Sequence, residues 1–193
     1  MAGILTHTNN KTYPAKYAEL RNEIKNGDLI LYHGSSFLSK SIQYFDKAYY
    51  NHIGVVWKLD DADRLLTLDM WSEGLTCLPL SRRMQGYKDF CILRPKCSEE
   101  KINAAINILL KDWDGRDISY DNLLLLRIAI IKKTGIDITG LSKDNKYICS
   151  EFGRLYTSYL FDTYKNIDII TPQDFIRFID ENFEIIADTR LIS

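Results

Sequence analysis

A thiol, an imidazole and a carboxylate can together cleave a carbonyl compound. The thiolate attacks, the imidazole takes and returns the proton, and the third group fixes the ring. The 193-residue chain offers candidates for all three roles. Cys149 lies in Tyr147-Ile148-Cys149-Ser150-Glu151-Phe152, at the head of residues 152–161, where Phe152, Leu155, Tyr156, Tyr159 and Leu160 recur three or four apart. That spacing predicts a helix with Cys149 in its first turn. Unpaired backbone N–H groups and the positive end of the helix dipole favour a thiolate there. A small buried thiol is the competing role.

Three histidines could serve as base. His7 sits in a polar stretch and reads as solvated. His33 ends a short apolar strand beside Gly34 and suits a turn. His52 is the strongest candidate, because it opens an apolar run, Ile53 to Trp57, that anchors it on a strand. For the orienter, Asp69 stands between Leu68 and Met70, where a carboxylate wants a partner. A hairpin turn centred near Asp61 puts His52 opposite Met70, one residue from Asp69. Glu73 competes, but beside Gly74 it reads as a turn residue. A metal site on His33 and His52 is a third reading, although no HExxH spacing supports it. Cys77, Cys91, Cys97 and Cys149 have neither metal-ligand nor CxxC spacing. No metal or other cofactor is expected.

The elements that must hold these residues follow from periodicity and turn signals. Residues 13–25 predict a helix with Tyr17, Leu20 and Ile24 on one stripe, and Asn26-Gly27-Asp28 turns the chain into a strand at 29–32. A short helix is expected at 37–45. Strands follow at 51–58, 64–70, 75–80 and 90–94, the last stopped by Pro95. Ser98 caps a helix running to about residue 113, with Ile102, Ala105, Ile106, Leu109 and Leu110 on one face. Residues 123–131 read as a buried helix, interrupted by Arg127 and too short to span a membrane. A closing strand is expected at 183–187. Strands crowd the first half and helices the second, an α+β layout with the Cys149 helix on a mostly antiparallel sheet.

Composition narrows the partners. With 25 basic and 26 acidic residues the formal net charge is -1, and no basic block offers a footprint for nucleic acid. The length fits one domain over residues 1–193. Residues 1–11 lack a secretory pattern, and 193 residues can build a core without disulfides, so a cytoplasmic, reducing location is expected. The oligomeric state is left open.

Five motifs occur in a fixed order: Gly27-Asp28-Leu29-Ile30-Leu31, Asn51-His52-Ile53-Gly54-Val55-Val56, Tyr120-Asp121, Tyr147-Ile148-Cys149-Ser150-Glu151-Phe152 and Thr171-Pro172-Gln173-Asp174-Phe175. Together they resemble the circularly permuted papain-like branch of the NlpC-type cell-wall peptidase superfamily, the YiiX/YebB-like proteins, over residues 26–178. The resemblance implies a small barrel-like antiparallel sheet, with the nucleophile helix following it and the histidine preceding the cysteine. It implies Cys149 as nucleophile, His52 as base and Asp69 in a position commonly filled by Glu, with Tyr147 and Glu151 in supporting roles. The activity it implies is that of a thiol hydrolase (amidase or peptidase) or acyltransferase. Substrates of that kind are small peptides, cell-wall stem peptides or lipid acyl groups. Tyr32 and Tyr50, among Tyr44, Phe45 and Tyr49, are expected to line an apolar pocket, with core packing as the competing role. The alternative is a non-catalytic binding or interaction protein that retains the fold.

Overall fold

The computed structural model describes residues 15–34, 49–71, 74–87, 89–113, 119–120, 134, 146–166, 171–177 and 182–191. Helix α1 (Ala15–Leu20) leads to β1 (Leu29–His33), β2 (His52–Leu59), β3 (Arg64–Trp71) and β4 (Gly74–Pro79). Then come α2 (Leu80–Met84), β5 (Asp89–Pro95), α3 (Glu99–Trp113), β6 (Ser119–Tyr120) and β7 (Lys146–Tyr147). The chain closes with α4 (Cys149–Leu160), α5 (Pro172–Arg177) and β8 (Phe183–Asp188). Six strands form one sheet in the order β4-β3-β2-β1-β5-β8, each neighbouring pair antiparallel. The short β6 and β7 pair in parallel, Tyr120 beside Tyr147, immediately before the Cys149 helix.

Side chains alternate across a strand, so the sheet builds two cores. Leu29, Leu31, Ile53, Val55, Leu68 and Met70 face α3 and α4, meeting Ile102, Ile106, Leu109, Phe152, Tyr156 and Leu160. Ile30, Tyr32, Val56, Leu65, Phe90 and Ile92 face the other way, toward Tyr17, Ile24, Leu80 and Met84. Each fully buried aliphatic side chain contributes about 1.5–3 kcal/mol, which makes these two layers the main source of stability.

The Cys149 helix forms because Phe152, Tyr156 and Leu160 repeat every four residues and are fully buried. Its start is sharp: Ile148 is extended (φ -104°, ψ 166°), and Glu151 Oε2 accepts the Ile148 N–H at 3.1 Å. That bond satisfies one of the donors exposed at the helix start. The helix lies close on β2 because residue 153 is glycine. A Cβ there would sit 2.8 Å from Ile53 Cδ1 and 3.0 Å from Phe175 Cζ.

Some expected boundaries move. The first helix stops at Leu20 rather than near Lys25, because the Asp28 carboxylate captures the Lys25 N–H at 2.8 Å and curls the chain. Residues 80–84 form α2, where no helix was expected and the strand expected to reach Leu80 stops at Pro79. The expected helices at 37–45 and 123–131, together with His7, Tyr44, Phe45, Glu73 and Asp121, lie outside the described residues. Among the described residues no helix is long and apolar enough to cross a membrane.

Candidate active site

The connection between β2 and β3 decides which side chains can meet. It is a 3-10 turn, Asp60–Ala62, followed by Asp63 in the left-handed region at φ 44°. The resulting register pairs Gly54 with Asp69 and Leu59 with Arg64. Carried two residues further, it sets His52 against Trp71. The expected partner, Met70, is therefore corrected by one residue, because the turn is one residue longer than a centre at Asp61 allows. The correction matters, since a one-residue slip exchanges the faces of a strand. In the observed register Asp69 shares the His52 face and reaches the imidazole diagonally. Gly54 keeps the path between them open. A Cβ at that position would lie 2.5 Å from Thr67 Oγ1 and 3.3 Å from Asp69 Cβ.

Asp69 is fully buried and heavily bonded. Its Oδ2 accepts from His52 Nε2 at 3.0 Å and Trp71 Nε1 at 2.8 Å. Its Oδ1 accepts from Thr76 Oγ1 at 2.7 Å and Arg83 Nη2 at 3.0 Å. Arg83 Nε also lies 2.8 Å from Oδ2, but its N–H makes no aligned bond, so that contact is electrostatic. The guanidinium sits 4.6 Å above the Trp71 ring and also donates to Thr76 Oγ1 at 2.8 Å. Burial alone would raise the Asp69 pKa. The bond and charge of His52, the charge of Arg83 and the Thr76 bond outweigh it and hold the carboxyl below its ordinary value.

An ionised Asp69 only accepts hydrogen bonds, so His52 Nε2 must carry the proton it donates. The other ring nitrogen, Nδ1, is then the one left for the sulfur. His52 is 7% exposed and Cys149 2%, so the pair is almost shut away from water. Trp71 (4.8 Å), Tyr32 (5.8 Å) and Tyr87 (6.2 Å, parallel within 8°) surround the imidazole. Burial disfavours the imidazolium. The charge of Cys149, the bonds to Asp69 and Cys149 and the charge of Asp69 more than offset this, raising the pKa from 6.5 to about 9.

That shift has a direction in stability. A histidine whose folded pKa is raised binds its proton more tightly when folded, so its contribution is complete below pH 6.5 and is lost as pH rises through about 9. The Cys149→Ala variant removes the leading favourable cause. Its His52 resonance, followed by NMR titration, is expected to move toward 6.5 by at least about one unit, ~1.4 kcal/mol of interaction. An unchanged titration would show that Cys149 and His52 are not coupled.

Neighbouring segments hold the chain as it enters β2. Gln173 Oε1 accepts the Tyr49 N–H at 2.9 Å and the Tyr50 N–H at 3.3 Å. Asn51 ties Gly34 with both ends of its amide, at 3.0 and 3.2 Å. His33 is occupied elsewhere: its Nδ1 donates to the Tyr49 carbonyl at 2.7 Å and its ring stacks on Tyr49.

Tyr32 and Tyr50 do not line an open pocket, contrary to expectation. Both are fully buried, Tyr32 in one core and Tyr50 in the other, and their hydroxyls find internal acceptors, Thr67 Oγ1 at 3.4 Å and Asp188 Oδ1 at 2.6 Å. Tyr147 belongs to β7, but its side chain lies outside the described residues. A surface groove of about 510 Å³, bordered by Tyr17, Arg21, Asp63, Arg64 and Ser81, lies at the far end of the β2–β3 hairpin from His52. Sequence reasoning brought Cys149, His52 and Asp69 together. It missed Trp71, Thr76, Arg83 and Tyr87, whose only signal was a tryptophan two residues beyond Asp69, on the same strand face.

No family model matches the sequence, and no curated protein matches it either. The fold is similar to that of a solved structure, the metalloprotein YiiX from Escherichia coli O157:H7 (DUF1105). The two superpose with a TM-score of 0.51 over 85% of this chain and 97% of that one, at 16% sequence identity. The likeness is one of fold: a mixed α/β chain built on a six-stranded antiparallel sheet.

Proposed function

We propose that the chain is a thiol hydrolase or acyltransferase that opens an amide or ester bond through Cys149, His52 and Asp69. The observation that carries this reading is the bond from His52 Nε2 to a buried, ionised Asp69, with Cys149 close enough to act on the same imidazole. The YiiX-like fold and the order of His52 before Cys149 support a circularly permuted papain-like arrangement. In this mechanism Nδ1 receives the thiol proton and Sγ attacks the carbonyl carbon. Backbone N–H groups of the first α4 turn, that of Cys149 among them, face the developing oxyanion. His52 then protonates the leaving group, and water, an alcohol or an amine resolves the thioester. Glu151 keeps the helix start in shape. A cysteine only 2% exposed favours a slender acyl or peptidyl carbonyl over a bulky one.

YiiX is described as a metalloprotein. The residues here do not fit a metal at this pair: both Asp69 oxygens are occupied and the Arg83 guanidinium stands where a cation would repel it. Among the described residues no other group of three His, Cys, Asp or Glu side chains could hold an ion.

Iodoacetamide labelling tests the proposal. Cys77 is exposed and Cys149 buried, so exposure alone predicts that Cys77 reacts first. An activated thiol reverses the order: Cys149 is expected to label fastest in the wild type and to lose that advantage in His52→Ala. Preferential labelling of Cys77 with Cys149 inert would instead favour a binding protein that retains the fold.

A further inference from the structure

Tyr87 follows α2 and is held by its own backbone, its N–H donating to the Met84 carbonyl at 3.3 Å. Its ring packs on Tyr32 at 4.6 Å and lies parallel to the His52 imidazole. Its hydroxyl is buried yet finds no hydrogen-bond partner among the described residues. Leaving a buried donor unmade costs about 1–3 kcal/mol, and folded proteins rarely tolerate it. The hydroxyl has not been abandoned in an apolar corner. Its ring lies parallel to the His52 imidazole at 6.2 Å, which places it beside the site, where burial and the charge of Asp69 act on it against the opposing charge of Arg83. Their net effect lifts its pKa well above that of an ordinary tyrosine, so it stays a neutral O–H donor.

We propose that the Tyr87 hydroxyl donates a hydrogen bond to the substrate's carbonyl oxygen as that oxygen becomes an oxyanion. This assignment rests on Cys149 acting as nucleophile. As the Sγ–C bond forms, the carbonyl π pair moves onto oxygen, where the Tyr87 O–H meets it without giving up its proton. When the intermediate collapses, the pair returns, the leaving group departs with a proton from His52, and the hydroxyl is again unpaired. A donor whose acceptor exists only during reaction stabilises the transition state rather than the resting protein.

Two probes of Cys149 separate this role from the others. Propionaldehyde adds to a thiol as a hemithioacetal whose oxygen occupies the oxyanion position. Iodoacetamide alkylates the same sulfur by displacement at a saturated carbon and forms no such oxygen. In Tyr87→Phe, aldehyde affinity, measured as protection from alkylation, is expected to weaken by about 10-fold, ~1.4 kcal/mol. The alkylation rate should stay within about twofold of wild type. The thermal midpoint should hold or rise, since the variant keeps the ring and loses an unmet donor. Equal aldehyde affinity in the two proteins overturns the assignment, as does a parallel loss in both reactions with a lower midpoint, the pattern of a structural hydroxyl. A wild-type Cys149 inert to both reagents would remove the nucleophile itself. That outcome is distinguishable from a reactive Cys149 that ignores the Tyr87 change.

Discussion

Cys149→Ala is expected to reduce hydrolysis of p-nitrophenyl acetate to the rate of buffer alone, and His52→Ala to lower it by roughly 10²–10⁴-fold, the range supplied by a positioned general base. The two losses differ in origin. Without sulfur no thioester forms, so nothing remains of the covalent route. Without the imidazole a small fraction of thiolate still attacks, because a cysteine is a few per cent ionised near neutral pH. Cys149→Ala removes only a sulfur from the core around Phe152, so its packing cost should be small and its main stability loss is the ~1.4 kcal/mol of interaction with His52. His52→Ala empties space between Trp71, Tyr32 and Tyr87 and also strips Asp69 of one donor, so a lower unfolding midpoint is expected. A Cys149→Ala protein as fast as the wild type, or a wild type no faster than buffer, would end the proposed reaction.

Asp69→Asn should slow the same reaction by about 10- to 1000-fold, a loss of roughly 1.4–4 kcal/mol in transition-state stabilisation. An amide can present its oxygen to only part of the donor set, so the imidazole loses the fixed partner that selects its tautomer. The effect on rate will not come alone. Arg83 has a side chain only 12% exposed, and its counter-charge is Asp69. Breaking a buried pair from one side typically costs about 3–5 kcal/mol, because the other charge is left uncompensated. The double variant Asp69→Asn/Arg83→Met separates the two effects. Methionine keeps an apolar stem over Trp71 and removes the stranded cation, so most of the stability should return while the rate stays low. Denaturant unfolding beside the esterase assay reads both. A single variant with full activity, or a double variant that regains stability and rate together, would show that Asp69 is not the orienter.

The strands and the helix carrying these groups were legible because their signals are local. Apolar alternation at residues 51–58 and 64–70 marks β2 and β3 to within a residue, and the Phe152, Tyr156, Leu160 repeat marks α4. The pairing of His52 with Asp69 was only half legible. Turn composition announced a hairpin, but not that Asp63 would adopt φ 44° and lengthen it by the one residue that turns Asp69 toward the imidazole. Arg83 was invisible for a different reason. A five-residue helix shows too little periodicity to be recognised, and what gives the arginine its place is a carboxylate fourteen residues away. Tyr50 misled because an aromatic beside a candidate base reads equally well as pocket wall or core. Its burial is decided by Asp188, 138 positions later, which no local pattern reports.

The sheet's two cores give the site a peculiar inheritance. Cys149 is packed with Ile53 and Phe152 on one side, whereas Asp69 and His52 meet Arg83 and Tyr32 on the other. A methyl group gained or lost at Ile53 or Gly153 moves α4 relative to β2, and one at Leu80 or Met84 moves α2 and the arginine it carries. Neither change touches the three polar groups, yet each shifts them relative to one another, and the proposed reaction would tolerate only about 0.5 Å. Drift in one layer therefore has to be matched by drift in the other. If the proposed reaction holds, the volume of the greasy interior is a heritable setting of it, and a lineage could tune or silence the thiol without altering the residues that define it.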